Sequence, residues 1–242
     1  MKDLVVVADT HLIRHDDELA RFLAFLDSLA GRTEVLYHLG DVFNIWLGNR
    51  RFEMEHMTPV LEGMRRLAAS GTALHLVEGN RDFHVEDGYD EDPFERVVPE
   101  SEERDFGGRR LHFAHGDLVN VADRQYRAWR RFSKSRALWG TFRLLPGRAG
   151  VGIGSFLETR LRGTNLPYKS YFPRDTFEAY ARRLVASGVD RVLLGHIHVE
   201  KVLDIEAGSR RGRLIVLPDW RSSHRYYRFG ADGLEGFVDF RG

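Results

Sequence analysis

The sequence contains no cysteine, which excludes a disulfide framework, a thiolate metal site and a cysteine nucleophile. That absence fits a reducing compartment, and the cytoplasm is the expected location. Nothing in the chain approaches the roughly 20 consecutive apolar residues of a membrane span. Near the start, only Lys2 precedes a short apolar run that Asp9 interrupts, too little for the core of an export signal. Low-complexity tracts and fixed-period repeats are missing as well, so neither a disordered chain nor a solenoid is expected. Net charge is also absent, 36 basic residues balancing 36 acidic ones, but the balance hides an asymmetry.

Residues 118–174 carry twelve Lys or Arg and only two acidic residues, Asp123 and Glu158. A block this basic implies an anionic partner, whether a phosphorylated substrate, an anionic membrane surface or a nucleic acid, unless it is only a solvated charged face. At 242 residues, 43% hydrophobic and 30% charged, the chain is long enough for one folded body with an appended cap. The boundaries expected are 1–117 and 175–242 for the body and 118–174 for an inserted helical cap.

The apolar run Leu4-Val5-Val6-Val7-Ala8 stops at Asp9-Thr10-His11. Unbroken apolarity marks a strand buried on both faces, and in open α/β sheets reactive groups sit just past the strands' carboxyl ends. The arrangement recurs. Strand-like runs at 35–39, 73–77, 111–114 and 191–194 stop at Gly40-Asp41, Gly79-Asn80-Arg81-Asp82, His115-Gly116-Asp117 and Gly195-His196-Ile197-His198.

Between the first runs, Asp16-Asp17-Glu18 opens a helix with Leu19, Phe22, Leu23, Leu26 and Leu29 at helical spacing, closed by Gly31. Thr58-Pro59 reads as N-cap and first residue of a second helix that ends near Gly71. Core packing is the expected job of Trp46, in the apolar loop 43–48. Residues 102–114, with Gly107-Gly108 as the turn, read as a hairpin, so the sheet is expected to be mixed. Asp175 and Glu178 have capping-box spacing for a helix reaching Ser187. The runs 199–205, 214–217, 224–229 and 234–240 read as antiparallel strands finishing a second sheet.

Seven tip residues carry the chemistry: Asp9, His11, Asp41, Asn80, His115, His196 and His198. Four imidazoles with three hard oxygen donors suit Mn²⁺, Fe²⁺ or Zn²⁺ better than Ca²⁺ or Mg²⁺ alone. Seven donors exceed what one such ion takes. With one carboxylate shared, and Asp41 is the expected bridge, they divide into two sets of four around two ions that would clamp a phosphoryl group. His75, His84, His112 and His224 are expected to be structural.

These five motifs, in this order, resemble those of the calcineurin-like metallophosphoesterases. The resemblance implies a two-sheet α/β sandwich flanked by helices. It further implies that Asp9, His11, Asp41 and His198 hold one metal, and Asp41, Asn80, His115 and His196 the other. Many members carry histidine after the asparagine of the third motif, where it protonates an alkoxide leaving group. Here Arg81 stands there, and a guanidinium does not release its proton at working pH. The leaving group must depart unprotonated, which favours a P–O–P bond.

Gly40-Asp41-Val42-Phe43-Asn44-Ile45-Trp46-Leu47-Gly48, Gly79-Asn80-Arg81-Asp82-Phe83, Tyr126 and the long insertion further resemble the UDP-2,3-diacylglucosamine hydrolases of lipid A biosynthesis. That branch implies a lipid-linked nucleotide substrate, Mn²⁺, and peripheral attachment to the cytoplasmic face of the inner membrane. No nucleic acid and no obligate protein partner are expected. Asp41, Asn80, Arg81 and His115 would be catalytic. Asn80, Arg81, Tyr126, Arg162, Lys169 and His196 would contact the substrate. Trp129, Phe132, Leu138, Trp139, Phe142, Leu144 and Leu157, interleaved with arginines, suit a lipid bearing phosphate. The chain departs from the branch at Thr10, where leucine is usual, and at 163–168, which is short and contains Pro167. A soluble nucleotide or dinucleoside-polyphosphate hydrolase, a nuclease, or a non-catalytic scaffold on the same fold are the competing readings.

Overall fold

The structure, a computed structural model, describes residues 2–14, 17–161 and 172–242. In chain order, β1 (Asp3–Val7), α1 (Asp17–Leu29), β2 (Thr33–His38), β3 (Trp46–Leu47), α2 (Met57–Ala69), β4 (Ala73–Val77), β5 (Asp82–Phe83), α3 (Glu86–Tyr89) and β6 (Arg96–Val98) form the first half. The hairpin β7 (Ser101–Phe106) and β8 (Arg109–Ala114) leads into three helices, α4 (Arg124–Ser133), α5 (Arg136–Phe142) and α6 (Gly147–Leu161). Then come α7 (Arg174–Ala186), β9 (Arg191–Leu194), β10 (Lys201–Ala207), β11 (Arg210–Val216), α8 (Trp220–Ser223), β12 (Arg225–Phe229) and β13 (Glu235–Asp239).

The strands make two mixed sheets, ordered β13-β12-β1-β2-β4-β6 and β10-β11-β9-β8-β7, and β3 and β5 pair as a separate two-stranded sheet. In β1, Val5 and Val7 pack toward α1 and α2 while Leu4, Val6 and Ala8 pack toward the second sheet, which is why the run is apolar at every position. Between the sheets Tyr37 stacks on Phe113 with centroids 3.8 Å apart. On α1 the buried residues are Phe22, Phe25, Leu26 and Leu29, and on α7 Phe177, Ala181 and Val185 cover the outer face of the second sheet. The result is a helix–sheet–sheet–helix sandwich. Each fully buried Leu, Val or Phe contributes about 1.5–3 kcal/mol, and this packing holds the strand ends in register.

Several local expectations need correction. α2 begins at Met57, one residue before Thr58, and the N-cap residue His56 makes no side-chain capping bond. α7 begins at Arg174 behind Pro173, and Glu178 accepts from Arg174 Nε at 2.5 Å in place of a capping box with Asp175. The last four strands do not all finish the second sheet. β10 and β11 do, but the chain then crosses through α8, and β12 and β13 extend the first sheet along the free edge of β1. Trp46 is fully buried beside Phe43 and Tyr89, as core packing requires. Among the described residues no helix is long and apolar enough to cross a membrane.

Candidate metal centre and cleft

β1, β2 and β4 of the first sheet and β8 and β9 of the second all run toward one edge of the sandwich, where the five motifs follow them. Five of the seven predicted ligands leave the strand with positive φ: Asp9 at 53°, His11 at 43°, Asp41 at 57°, His196 at 75° and His198 at 54°. Such a turn costs an ordinary residue roughly 1–3 kcal/mol and persists only where the surroundings fix it. They are fixed here by bonds between tips. Asp9 N donates to Gly40 O at 3.1 Å, His11 N to Asp41 O at 2.9 Å and Gly195 N to His115 O at 2.8 Å. Gly79 is obligatory, since a Cβ there would lie 2.2 Å from Asp41 Oδ1.

The side chains converge in two clusters. In one, His11 Nε2 lies 3.1 Å from His198 Nε2, and Asp9 Oδ1 lies 3.2 Å from His198 Nε2 and 3.6 Å from His11 Nε2. In the other, Asn80 Oδ1 is 3.0 Å from His115 Nε2 and 3.1 Å from His196 Nδ1, the two rings being 3.2 Å apart. Asp41 stands between them, Oδ2 at 3.9 Å from His11 Nε2 and Oδ1 at 3.9 Å from His115 Nε2. Asp9, Asp41 and His115 also offer atoms within 4.8 Å of one another, but Asp9 Oδ2 is taken by the His196 backbone N–H at 2.7 Å.

The His11–His198, Asn80–His115, Asn80–His196 and His115–His196 contacts at 3.0–3.2 Å gather imidazole nitrogens and an amide oxygen around two points. The spacing is that of neighbouring donors about 2.1 Å from a shared cation. Electrostatics agree. Burial opposes charge on Asp9 and Asp41, yet the surrounding histidines hold both carboxyls below the ordinary value. Burial likewise opposes a proton on His115, but Asp41 and Asp9 raise it, whereas burial and His115 push His196 down to about 4. Two rings so close cannot both be charged. The residues fit divalent cations, and the donor set of nitrogen and hard oxygen is that of a borderline ion.

Several further residues support the tips. The Asp82 carboxyl, which burial and Asp41 push up to about 7, accepts from Asp41 N at 2.7 Å and Gly79 N at 2.8 Å, so it holds two tips together. Thr10 donates to Val42 O at 2.7 Å, so its hydroxyl is left to accept from His38 Nε2 at 3.1 Å. Burial pushes His38 down to about 3, and the neutral ring accommodates the threonine where leucine is usual. The four histidines expected to be structural are so placed: His75 against Glu102, His112 against Tyr180, His224 against Glu18, and His84 stacked on Trp139.

Arg81 is buried beside the centre, with Nε 3.7 Å from Asp41 Oδ2. Burial lowers its pKa and Asp41 and Asp9 resist, but a guanidinium remains cationic. From Asp41, Asn80, Arg81 and His196 a cleft of about 890 Å³ extends past Tyr126 along Leu47, Leu138, Phe142, Leu157 and Leu161. Tyr126 donates to Asp117 Oδ2 at 2.5 Å, and Arg130 Nε donates to the same oxygen at 2.6 Å. Burial opposes ionisation of Asp117, but His115 and Arg130 hold it at about 2. Of the predicted substrate contacts, Asn80, Arg81, Tyr126 and His196 line this one cleft. Arg162 and Lys169, like the 163–168 stretch, lie outside the described residues.

Residues 1–139 match the calcineurin-like phosphoesterase superfamily domain, and the chain belongs to that superfamily of metal-dependent phosphoesterases. Within it, the chain is 31% identical over 230 residues to a UDP-2,3-diacylglucosamine hydrolase of Neisseria meningitidis serogroup B, covering 93% of this chain and 92% of that one. A UDP-2,3-diacylglucosamine hydrolase of Pseudomonas putida is 30% identical over 90% of each chain. One of Pseudomonas fluorescens is 29% identical over 90% of this chain and 88% of its own.

Proposed function

We propose that this chain hydrolyses the diphosphate of UDP-2,3-diacylglucosamine to UMP and 2,3-diacylglucosamine 1-phosphate, with two divalent ions, Mn²⁺ foremost, at the cytoplasmic face of the inner membrane. The names of its relatives support the substrate. One observation carries the reading: Asp41, Asn80, Arg81 and His196 line the same cleft as the apolar Leu138, Phe142, Leu157 and Leu161. A substrate with a diphosphate next to acyl chains matches both groups at once.

In this reading Asp9, His11, Asp41 and His198 hold one ion and Asp41, Asn80, His115 and His196 the other. When bound, the ions supply Lewis acidity toward the phosphoryl oxygens and lower the pKa of water. Arg81 neutralises charge developing on the diphosphate but gives no proton, so the sugar phosphate departs as an anion. Tyr126 commits its own proton to Asp117 and meets the substrate as an acceptor.

The basic block supports attachment to an anionic bilayer, though not through all of its members. Arg130, Lys134 and Arg136 pair with Asp117, Glu78 and Asp87 of the body. Arg124, Arg127, Arg131, Arg148 and Arg160 make no ion pair among the described residues, and they share this surface with exposed Trp129, Phe132, Leu144 and Phe156. Incubating the protein with Mn²⁺ and UDP-2,3-diacylglucosamine and following UMP by mass spectrometry tests the reading. UMP is expected, with Asp41→Ala folded but inactive; turnover retained in that variant would end it.

A further inference from the structure

We propose that Asn44 is a positioning residue that links the cap helix α6 to the phosphate-binding guanidinium of Arg81, so that acyl chains filling the apolar end of the cleft promote hydrolysis at the polar end. The proposal rests on the function proposed above. Asn44 lies three residues beyond Asp41 and is 1% exposed. Its Oδ1 accepts from Arg81 Nη1 at 3.0 Å, and its backbone oxygen accepts from the same nitrogen at 3.2 Å. On the other side, its Nδ2 donates to the backbone oxygen of Glu158 at 3.0 Å. One buried amide therefore touches both the arm that faces the diphosphate and the helix that faces the lipid.

The helix is placed to report on the lipid. Glu158 is in the last turn of α6, where carbonyls lack intrahelical donors and take outside partners. Leu157 and Leu161, on either side of it, line the apolar part of the cleft. The other end of α6 has little freedom. A Cβ on Gly150 would lie 2.0 Å from the Phe52 ring, and one on Gly147 2.9 Å from Arg51 O, so backbone is pressed against body there. An acyl chain against Leu157 and Leu161 therefore acts mainly on the last turn, and the Asn44 amide carries the displacement to Arg81. A buried amide that loses a partner leaves an unsatisfied polar group, so the link holds as a unit and does not stretch gradually. Binding energy from the non-reacting lipid is in this way used at the reacting phosphorus.

The test compares wild type, Asn44→Ala, Arg81→Ala and the double variant on UDP-2,3-diacylglucosamine, on UDP-glucosamine without chains, and on bis(4-nitrophenyl) phosphate, with bound metal and unfolding midpoints measured alongside. Wild type is expected to turn over the diacyl substrate at least ~10-fold faster in kcat than the chainless one. Asn44→Ala is expected to lower kcat on the diacyl substrate ~10-fold with KM changed less than ~3-fold, to erase most of the chain-length advantage, and to leave metal content unchanged. The double variant should be no slower than Arg81→Ala within ~2-fold, because both changes break one unit. Effects that multiply, or a chain-length advantage that survives Asn44→Ala, overturn the proposal. Asn44→Asp keeps the acceptor for Arg81 and removes the donor to Glu158, so it too should lose the advantage; keeping it argues against the link even if the alanine variant is unstable. A wild type that releases no UMP but cleaves the diester contradicts the substrate reading, and non-additivity on the diester then judges Asn44's hold on Arg81 by itself.

Discussion

Asp9, His11, Asp41, His196 and His198 each turn out of a strand through a left-handed conformation, and together they store several kcal/mol of backbone strain at about 1–3 kcal/mol apiece. Strain of that size gathered at one edge is a functional expense, which the apolar core offsets. His112, away from that edge, gives a cleaner view of the balance. Burial lowers its pKa from the ordinary 6.5 while Glu103 resists. The unfolded chain therefore binds this proton first as pH falls. The stability His112 brings is complete above the ordinary value and is lost as pH drops toward the lowered native one. Between about pH 7.5 and pH 5 the urea midpoint of wild type is expected to fall further than that of His112→Gln; equal falls would contradict the assignment. At this scale the residues that converge at the strand ends were legible because each combines a rare side chain with the abrupt end of an apolar run. Asn44, Asp82 and Asp117 stand within the same motifs, but their roles were not legible, since hydrogen bonds to Arg81, to the Asp41 and Gly79 backbone and to Tyr126 and Arg130 leave no pattern along the chain.

At the scale of elements, the sandwich depends on what joins its sheets. Beneath the stacked Tyr37 and Phe113, Glu235 of β13 receives Arg109 of β8 at 2.9 Å, Arg191 of β9 at 2.8 Å and Arg213 of β11 at 3.1 Å. One carboxylate from the first sheet thus faces three guanidiniums from the second. Glu235→Gln leaves those cations crowded without a counter-charge, and a loss of about 1–2 kcal/mol is expected, seen as a thermal midpoint lower by about 3–6 °C; an unchanged midpoint would show that the packing of Tyr227 and Phe237 alone joins the sheets. The existence of most strands and of α1, α2 and α7 followed from apolar period and turn signals, whereas β3, β5, β6, α3 and α8 were too short to show one. Which sheet β12 and β13 join did not, because strand pattern records burial and not which edge is free. The starts of α2 and α7 were misread because His56 and Pro173, not a Thr or Asp side chain, occupy the N-cap positions.

Taken whole, the molecule sets a four-layer body under a helical segment bound to it by charge. Arg130 to Asp117 and Lys134 to Glu78, at 2.6 and 3.0 Å, join that segment to residues next to the strand tips, and Trp139 Nε1 donates to Asp87 of α3 at 2.7 Å. Part of the basic block visible in the sequence is therefore spent internally, and composition alone could not separate that part from the exposed part. The proposed hydrolysis nonetheless depends on two cations sharing Asp41, and metal titration measures this directly. Metal-stripped protein titrated with Mn²⁺ and assayed by calorimetry and elemental analysis is expected to bind two equivalents, falling to one or none in Asp41→Ala. A single equivalent in wild type, or two that persist without Asp41, would contradict it.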